Sequence, residues 1–245
     1  MYRVVFCFFV LSFSNLFSQK NIVNLDSIIK FDNYKVYKDL SYGNHERNVL
    51  DLWISNSKIN TPLMIYIHGG GFGSGSKESA YRKNNFNRIK KFIENGISFA
   101  TINYRFKNND DGILISLNDA KRALQFLRFK SDQFGIDKSK IGVMGSSAGA
   151  TSSLWLGFFD DMAQLNSNDP IERESTRVSL VVGIAAAHTM DLNKWKEMLN
   201  IDQDYMDKLV SQYIGKLDRK KWMDKTFQNE YISKIDFFDE MDKND

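Results

Sequence analysis

The chain has 245 residues, 42% hydrophobic and 26% charged, which suits one α/β domain and is short for two. Its formal net charge of +3 comes from basic and acidic residues mixed along the sequence, so there is no clustered basic face of the kind nucleic acid demands. The single cysteine, Cys7, excludes an intrachain disulfide.

The first eighteen residues differ in kind from the rest. Arg3 is their only charge, an apolar run follows from Val4 to Leu11, and small residues end the stretch at Ser18. This pattern predicts a secretory signal, cut after Ser18 with Ser14 as the alternative, and a secreted or periplasmic product. Residues 19–245 would then be the mature domain, without cysteine. No later segment has the length of a transmembrane helix, so no membrane association is expected once the signal is removed.

Asn48 to Ile54 reads as a strand, and Leu63 to Ile67 is a short continuous apolar run, as expected of a strand buried on both faces. Asn84–Glu94 predicts a helix with Phe86, Ile89 and Ile93 on one side, closed by Gly96. Ile97 to Ile102 is the next strand. Ser116 is expected to cap a helix carrying Leu117, Ala120, Leu124 and Leu127, with Asp119 facing its exposed N–H groups and Gly135 marking the stop. Ile141–Met144 and Val178–Ile184 complete the strands. This alternation predicts a mostly parallel sheet flanked by helices, with loops that carry a site along one edge. After Ala187, Met206, Leu209, Val210, Tyr213 and Ile214 share a helix face. Packing of helices on the sheet is the expected arrangement, and a cap over a pocket mouth is the alternative.

Two motifs carry chemistry. Gly145-Ser146-Ser147-Ala148-Gly149 lies between the strand Ile141–Met144 and a helix-compatible stretch, Ala150–Phe159. A nucleophile on so tight a turn needs strained backbone, and glycines two residues either side remove colliding side chains. Ser147 would then stand at the start of a helix whose dipole favours developing negative charge. His68-Gly69-Gly70-Gly71-Phe72 follows the strand Leu63–Ile67. Acyl transfer places negative charge on a carbonyl oxygen, and a glycine run lets backbone N–H groups turn toward it. An ordinary glycine-rich loop or a phosphate cradle would account for the second motif alone, but not for the pair in this order.

Together with Asn103-Tyr104-Arg105, these motifs resemble the α/β-hydrolase esterases, and are most similar to the hormone-sensitive-lipase-like and the feruloyl/acetyl-xylan esterase-like carboxylesterases. The resemblance spans about Asp51 to Ala187. It implies an α/β-hydrolase fold with Ser147 as nucleophile and the N–H groups of Gly70, Gly71 and Ala148 as oxyanion hole. His68 would support the glycine loop, and Asp119 and Asp137 would be structural. The reaction implied is hydrolysis of carboxylic esters, on small molecules or acylated carbohydrates, and needs no cofactor. No metal motif and no nucleotide fingerprint is present.

The family order is Ser, then Asp or Glu, then His on later sheet strands. After Ser147 the sequence offers one histidine, His188, and a charged ending where the next strand is expected. Three explanations stand: a fragment of a longer reading frame lacking the last strands and expected to be inactive as it stands, which is the expectation carried forward, a catalytically dead product, or His188 with Asp191 as an improvised base. A non-catalytic binding or scaffold protein on the same fold is the competing function.

Overall fold

The computed structural model describes residues 34–56, 60–108, 110–187, 189–213, 222 and 224–238. The elements in chain order are β1 (Tyr34–Ser41), β2 (Val49–Ser55), β3 (Thr61–Ile67), a 3-10 turn (Lys77–Tyr81), α1 (Lys83–Glu94) and β4 (Ser98–Ile102). They continue with α2 (Leu114–Phe129), the single turn α3 (Ser131–Phe134), β5 (Ile136–Ser146), α4 (Ala148–Phe158), β6 (Leu180–Ile184), α5 (Leu192–Leu199), α6 (Gln203–Tyr213) and α7 (Lys225–Ile235). The strands make one sheet in the order β1-β2-β4-β3-β5-β6. β1–β2 and β2–β4 pair antiparallel, while β4, β3, β5 and β6 run parallel.

Side-chain alternation along β3 divides the core between the two faces of the sheet. Leu63, Ile65 and Ile67 join the larger cluster, with Leu117, Leu124 and Leu127 of α2 and Trp155 of α4. Met64 and Tyr66 point the other way, onto Phe86, Ile89 and Ile93 of α1. The apolar spacing that predicted α1 is thus the spacing that packs it. Gly96 closes that helix with φ of 77°, and Gly135 caps α3 with φ of 66°, conformations in which a side chain costs energy.

Two expectations need correction. α2 begins at Leu114 with Ile113 before it and no side-chain cap. Ser116 lies inside the helix, its hydroxyl donating to the Arg105 carbonyl. Asp119 does not face the helix N–H groups. Its carboxylate accepts from the Arg105 backbone N–H at 2.8 Å, the Arg105 guanidinium at 2.6 Å and the Asn48 amide at 2.7 Å. A charge-assisted fork from Arg105 outcompetes helix capping at that position. β1 adds a strand that the periodicity did not single out, and β5 begins five residues earlier than its apolar core.

The segment after β6 packs on the α2–α4 face. Met190, Leu192, Met206, Leu209, Trp222, Tyr231, Ile235 and Phe237 are buried in the larger cluster, as the helix-packing expectation has it. Polar ties fix it there. The Tyr231 hydroxyl donates to the Asp111 carbonyl and accepts from the Ile113 N–H, both at 2.9 Å, and the Trp155 indole N–H donates to the Lys234 carbonyl at 2.9 Å. Asp236 is buried and accepts from the Thr189 hydroxyl and the Met190 N–H. The signal segment 1–18 and Ile214 lie outside the described residues.

Candidate active site

β5 delivers Ser147 to a corner, and α4 starts at the next residue. Ser147 holds φ of 53° and ψ of −122°, a backbone conformation that costs a non-glycine residue about 1–3 kcal/mol and recurs at functional turns. Its surroundings enforce that geometry. The Ser147 N–H donates to the Ile184 carbonyl at the end of β6, and its carbonyl accepts the Thr151 N–H of α4. The flanking glycines have no room for a side chain. A Cβ on Gly145 would lie 2.2 Å from the Gly149 carbonyl carbon, and one on Gly149 would lie 2.0 Å from the Ile67 carbonyl oxygen. Sequence reasoning placed this turn correctly, and its cause is close backbone packing against the end of β3.

That packing brings the second motif to the first. A Cβ built on Gly69 would fall 3.3 Å from the Ser147 Cβ and 2.7 Å from the Ser146 carbonyl oxygen. The chain then turns through Gly70 (φ 121°), Gly71 (φ 58°) and Phe72 (φ 59°). The Gly70 carbonyl accepts from the N–H groups of Gly73 and Ser74, each at 3.0 Å, and from the Ser74 hydroxyl at 3.1 Å. Among the described residues, no acceptor takes the Gly70 or Gly71 N–H. Ala148 opens α4, so its N–H is one of the first-turn donors without an intrahelical acceptor. The three residues expected to stabilise an oxyanion thus lie on the two turns that meet at Ser147.

His68 is fully buried under this loop. Its Nδ1–H donates to the Gly69 carbonyl at 2.7 Å, and its ring stacks on Tyr104 with centroids 4.2 Å apart. The Tyr104 hydroxyl donates to the His68 carbonyl at 2.9 Å. Nε2 is buried with no partner among the described residues, so a proton added there would have no acceptor. Burial accordingly pushes the His68 pKa down to about 4, against the opposing pull of the Gly69 carbonyl. The ring is a neutral support, not a base for Ser147. His45 is engaged elsewhere, its Nδ1 accepting the Arg47 N–H. His188 lies outside the described residues, and Asp191, its suggested partner, caps α5 by accepting the Asn193 N–H at 2.9 Å. Asp137 accepts from the Ser139 N–H and hydroxyl in its own turn.

Three supporting residues escaped the sequence reading. Arg47 ties the two loops together, donating from Nε to the Tyr104 carbonyl at 2.8 Å and from Nη2 to the Gly75 carbonyl at 3.0 Å. Lys77, 4% exposed, receives the carboxylates of Asp39, Asp51 and Glu78 at 2.9 Å each. Burial opposes its charge, but those three carboxylates prevail and raise its pKa. Lys77 also anchors the end of the glycine loop, its N–H donating to the Asn103 side chain at 2.7 Å and its carbonyl accepting the Thr101 hydroxyl at 3.1 Å. Asp51, 1% exposed, further accepts from the Tyr81 hydroxyl. The one sequence signal for this network was an acid inside an apolar strand, between Leu50 and Leu52.

The BD-FAE family profile matches residues 50–237 of the chain. The chain belongs to the BD-FAE family. This is a family of α/β-hydrolase esterases, in agreement with the resemblance carried by the two motifs. Among curated relatives, esterase LipC of Mycobacterium tuberculosis is 26% identical over 70% of this chain and 41% of its own length. Bile salt-activated lipase of Mus musculus is 28% identical over 48% of this chain and 22% of its own. The chain therefore spans less than half of either relative. Among solved structures, a truncated carbohydrate esterase from gut microbiota superposes with a TM-score of 0.59 at 20% identity, covering 83% of this chain and 72% of that one. Esterase B of Lactobacillus rhamnosis gives 0.56 at 17% identity, covering 83% and 62%. Both likenesses speak to the fold.

Proposed function

We propose that the chain carries the nucleophile and oxyanion hole of a serine carboxylesterase. Ser147 Oγ attacks the ester carbonyl carbon, the carbonyl electrons move onto oxygen, and the N–H groups of Gly70, Gly71 and Ala148 hold the oxyanion. The Ser147 hydroxyl proton passes to the departing alkoxide as the intermediate collapses, which expels the alcohol and leaves an acyl-Ser147 ester that water then hydrolyses to the acid and free Ser147. The observation that carries this reading is the meeting of the strained Ser147 turn with the Gly69 backbone, 3.3 Å from a Cβ built on Gly69 to the Ser147 Cβ. Acylated carbohydrates are the substrate class we favour, supported by the carbohydrate-esterase neighbour and by the expected export of the chain.

The test is labelling of the complete protein encoded by the reading frame with a fluorophosphonate, read by the mass of the peptide that contains Ser147. Labelled wild type and unlabelled Ser147→Ala support the proposal. Folded wild type that labels no more than Ser147→Ala overturns it. That outcome would favour a binding protein on the hydrolase fold, a reading supported by the absence, among the described residues, of a histidine hydrogen-bonded to Ser147.

A further inference from the structure

One cation packs against the glycine loop without a part in the proposed chemistry. The Lys107 N–H donates to the Phe72 carbonyl at 2.8 Å, which pins residue 107 to the loop. Its side chain runs alongside, with Cε 3.7 Å from the place a Cβ on Gly73 would take. Gly73 closes a turn onto Gly70 through a 3.0 Å hydrogen bond, so it sits within about 7 Å of the Gly70 Cα.

What distinguishes Lys107 is the lack of a carboxylate partner. Lys77 has three acids around it, Arg105 has Asp119 and Arg122 has Asp169. Among the described residues, Lys107 forms no ion pair. The two acids that follow it, Asp110 and Asp111, make no ion pair with it, and Asp111 is turned onto the Asn108 side chain at 3.2 Å. Lys107 is nonetheless half-buried, and burial lowers its pKa. A partly desolvated ammonium without a counter-charge is costly, and an arriving anion relieves that cost. The alternative role is a lysine stem covering apolar surface, which gives no discrimination by charge.

We infer that Lys107 forms a carboxylate-binding edge on the glycine loop and selects esters that carry an acid group near the scissile bond. Within the proposed substrate class, that means acylated sugars bearing a free carboxylate, such as hexuronic acids acylated on a hydroxyl. The selection of substrate rests on the esterase reading. The binding of the carboxylate does not.

The probes are the methyl glycosides of O-acetylated glucuronic acid and O-acetylated glucose, which differ by one carboxylate. Binding is followed by saturation-transfer NMR on Ser147→Ala, and acetate release on wild type. At low salt the acidic sugar should bind Ser147→Ala about tenfold more tightly, as expected of one charge-assisted contact. The difference should vanish with Lys107→Met, survive in Lys107→Arg and shrink in 0.5 M salt on the order of the Debye screening there. Equal binding of the two sugars, or a difference that persists in Lys107→Met, overturns the inference. Selective binding by Ser147→Ala without acetate release from wild type leaves the carboxylate edge standing and removes the esterase reading. Release from both sugars at equal rates does the reverse.

Discussion

A methyl group added at Gly149 would fall 2.0 Å from the Ile67 carbonyl oxygen and 2.6 Å from that of His68, both backbone atoms at the end of a buried strand. Neither can yield without moving β3. Gly149→Ala should therefore cost at least about 1–3 kcal/mol, read as a shift in urea midpoint, and should abolish fluorophosphonate labelling. Gly71→Ala meets nothing within 4 Å, and its cost comes only from φ of 58°, about 1–2 kcal/mol. An equal loss at the two positions would contradict the packing account. His68 makes a pH prediction. Its folded-state pKa of about 4 is below the ordinary histidine value of 6.5, so the unfolded chain binds the proton more readily. Stability should be full above pH 6.5 and decline as pH falls toward 4, by up to about 3 kcal/mol. Unfolding of His68→Asn should lose that part of the slope. At this scale the motif residues were legible because local backbone geometry dictates them. Arg47 and Lys107 were not, since their roles depend on loops 57 and 35 residues away that only the fold brings near.

At the scale of elements, β2 and the 3-10 turn are held together by a buried charge cluster. Removing the Lys77 ammonium leaves Asp51 in the interior without compensation, which generally costs about 3–5 kcal/mol. Lys77→Met should show a loss of that order in chemical unfolding. Adding Asp51→Asn removes the stranded charge, keeps Oδ1 as acceptor for the Asp39 N–H, and turns an amide N–H toward the Tyr81 hydroxyl oxygen. The double variant should regain about 1 kcal/mol or more. A double variant worse than Lys77→Met alone would show that the cluster stabilises through shape and not through charge. The parallel strands were readable as apolar runs because both their faces are covered. β1 was not, because Tyr34–Ser41 mixes lysine and aspartate with half-buried aromatics, as an outer antiparallel strand with a register shift between Tyr37 and Leu40 is free to do. Ser116 and Asp119 misled for a related reason: a capping pattern is local, whereas the guanidinium that claimed Asp119 comes from another loop.

The whole molecule presents two unlike edges. β1 carries lysines and a bulge, both of which discourage another strand from pairing. β6 reads Leu-Val-Val-Gly-Ile, with Leu180 49% and Ile184 40% exposed, and has no partner on its outer side among the described residues. An apolar strand edge of this kind associates with others. We expect concentration-dependent self-association of the 245-residue protein in sedimentation velocity, and its reduction by Leu180→Lys with little change in thermal midpoint. Association that is indifferent to Leu180→Lys would place the contact elsewhere. The bond from the Trp155 indole to the Lys234 carbonyl has a consequence of another sort. It joins the last turn of α7 to the rod that begins at the nucleophile, so Trp155 serves as an optical gauge. If α7 lifts away, that indole meets water and its emission moves to longer wavelength.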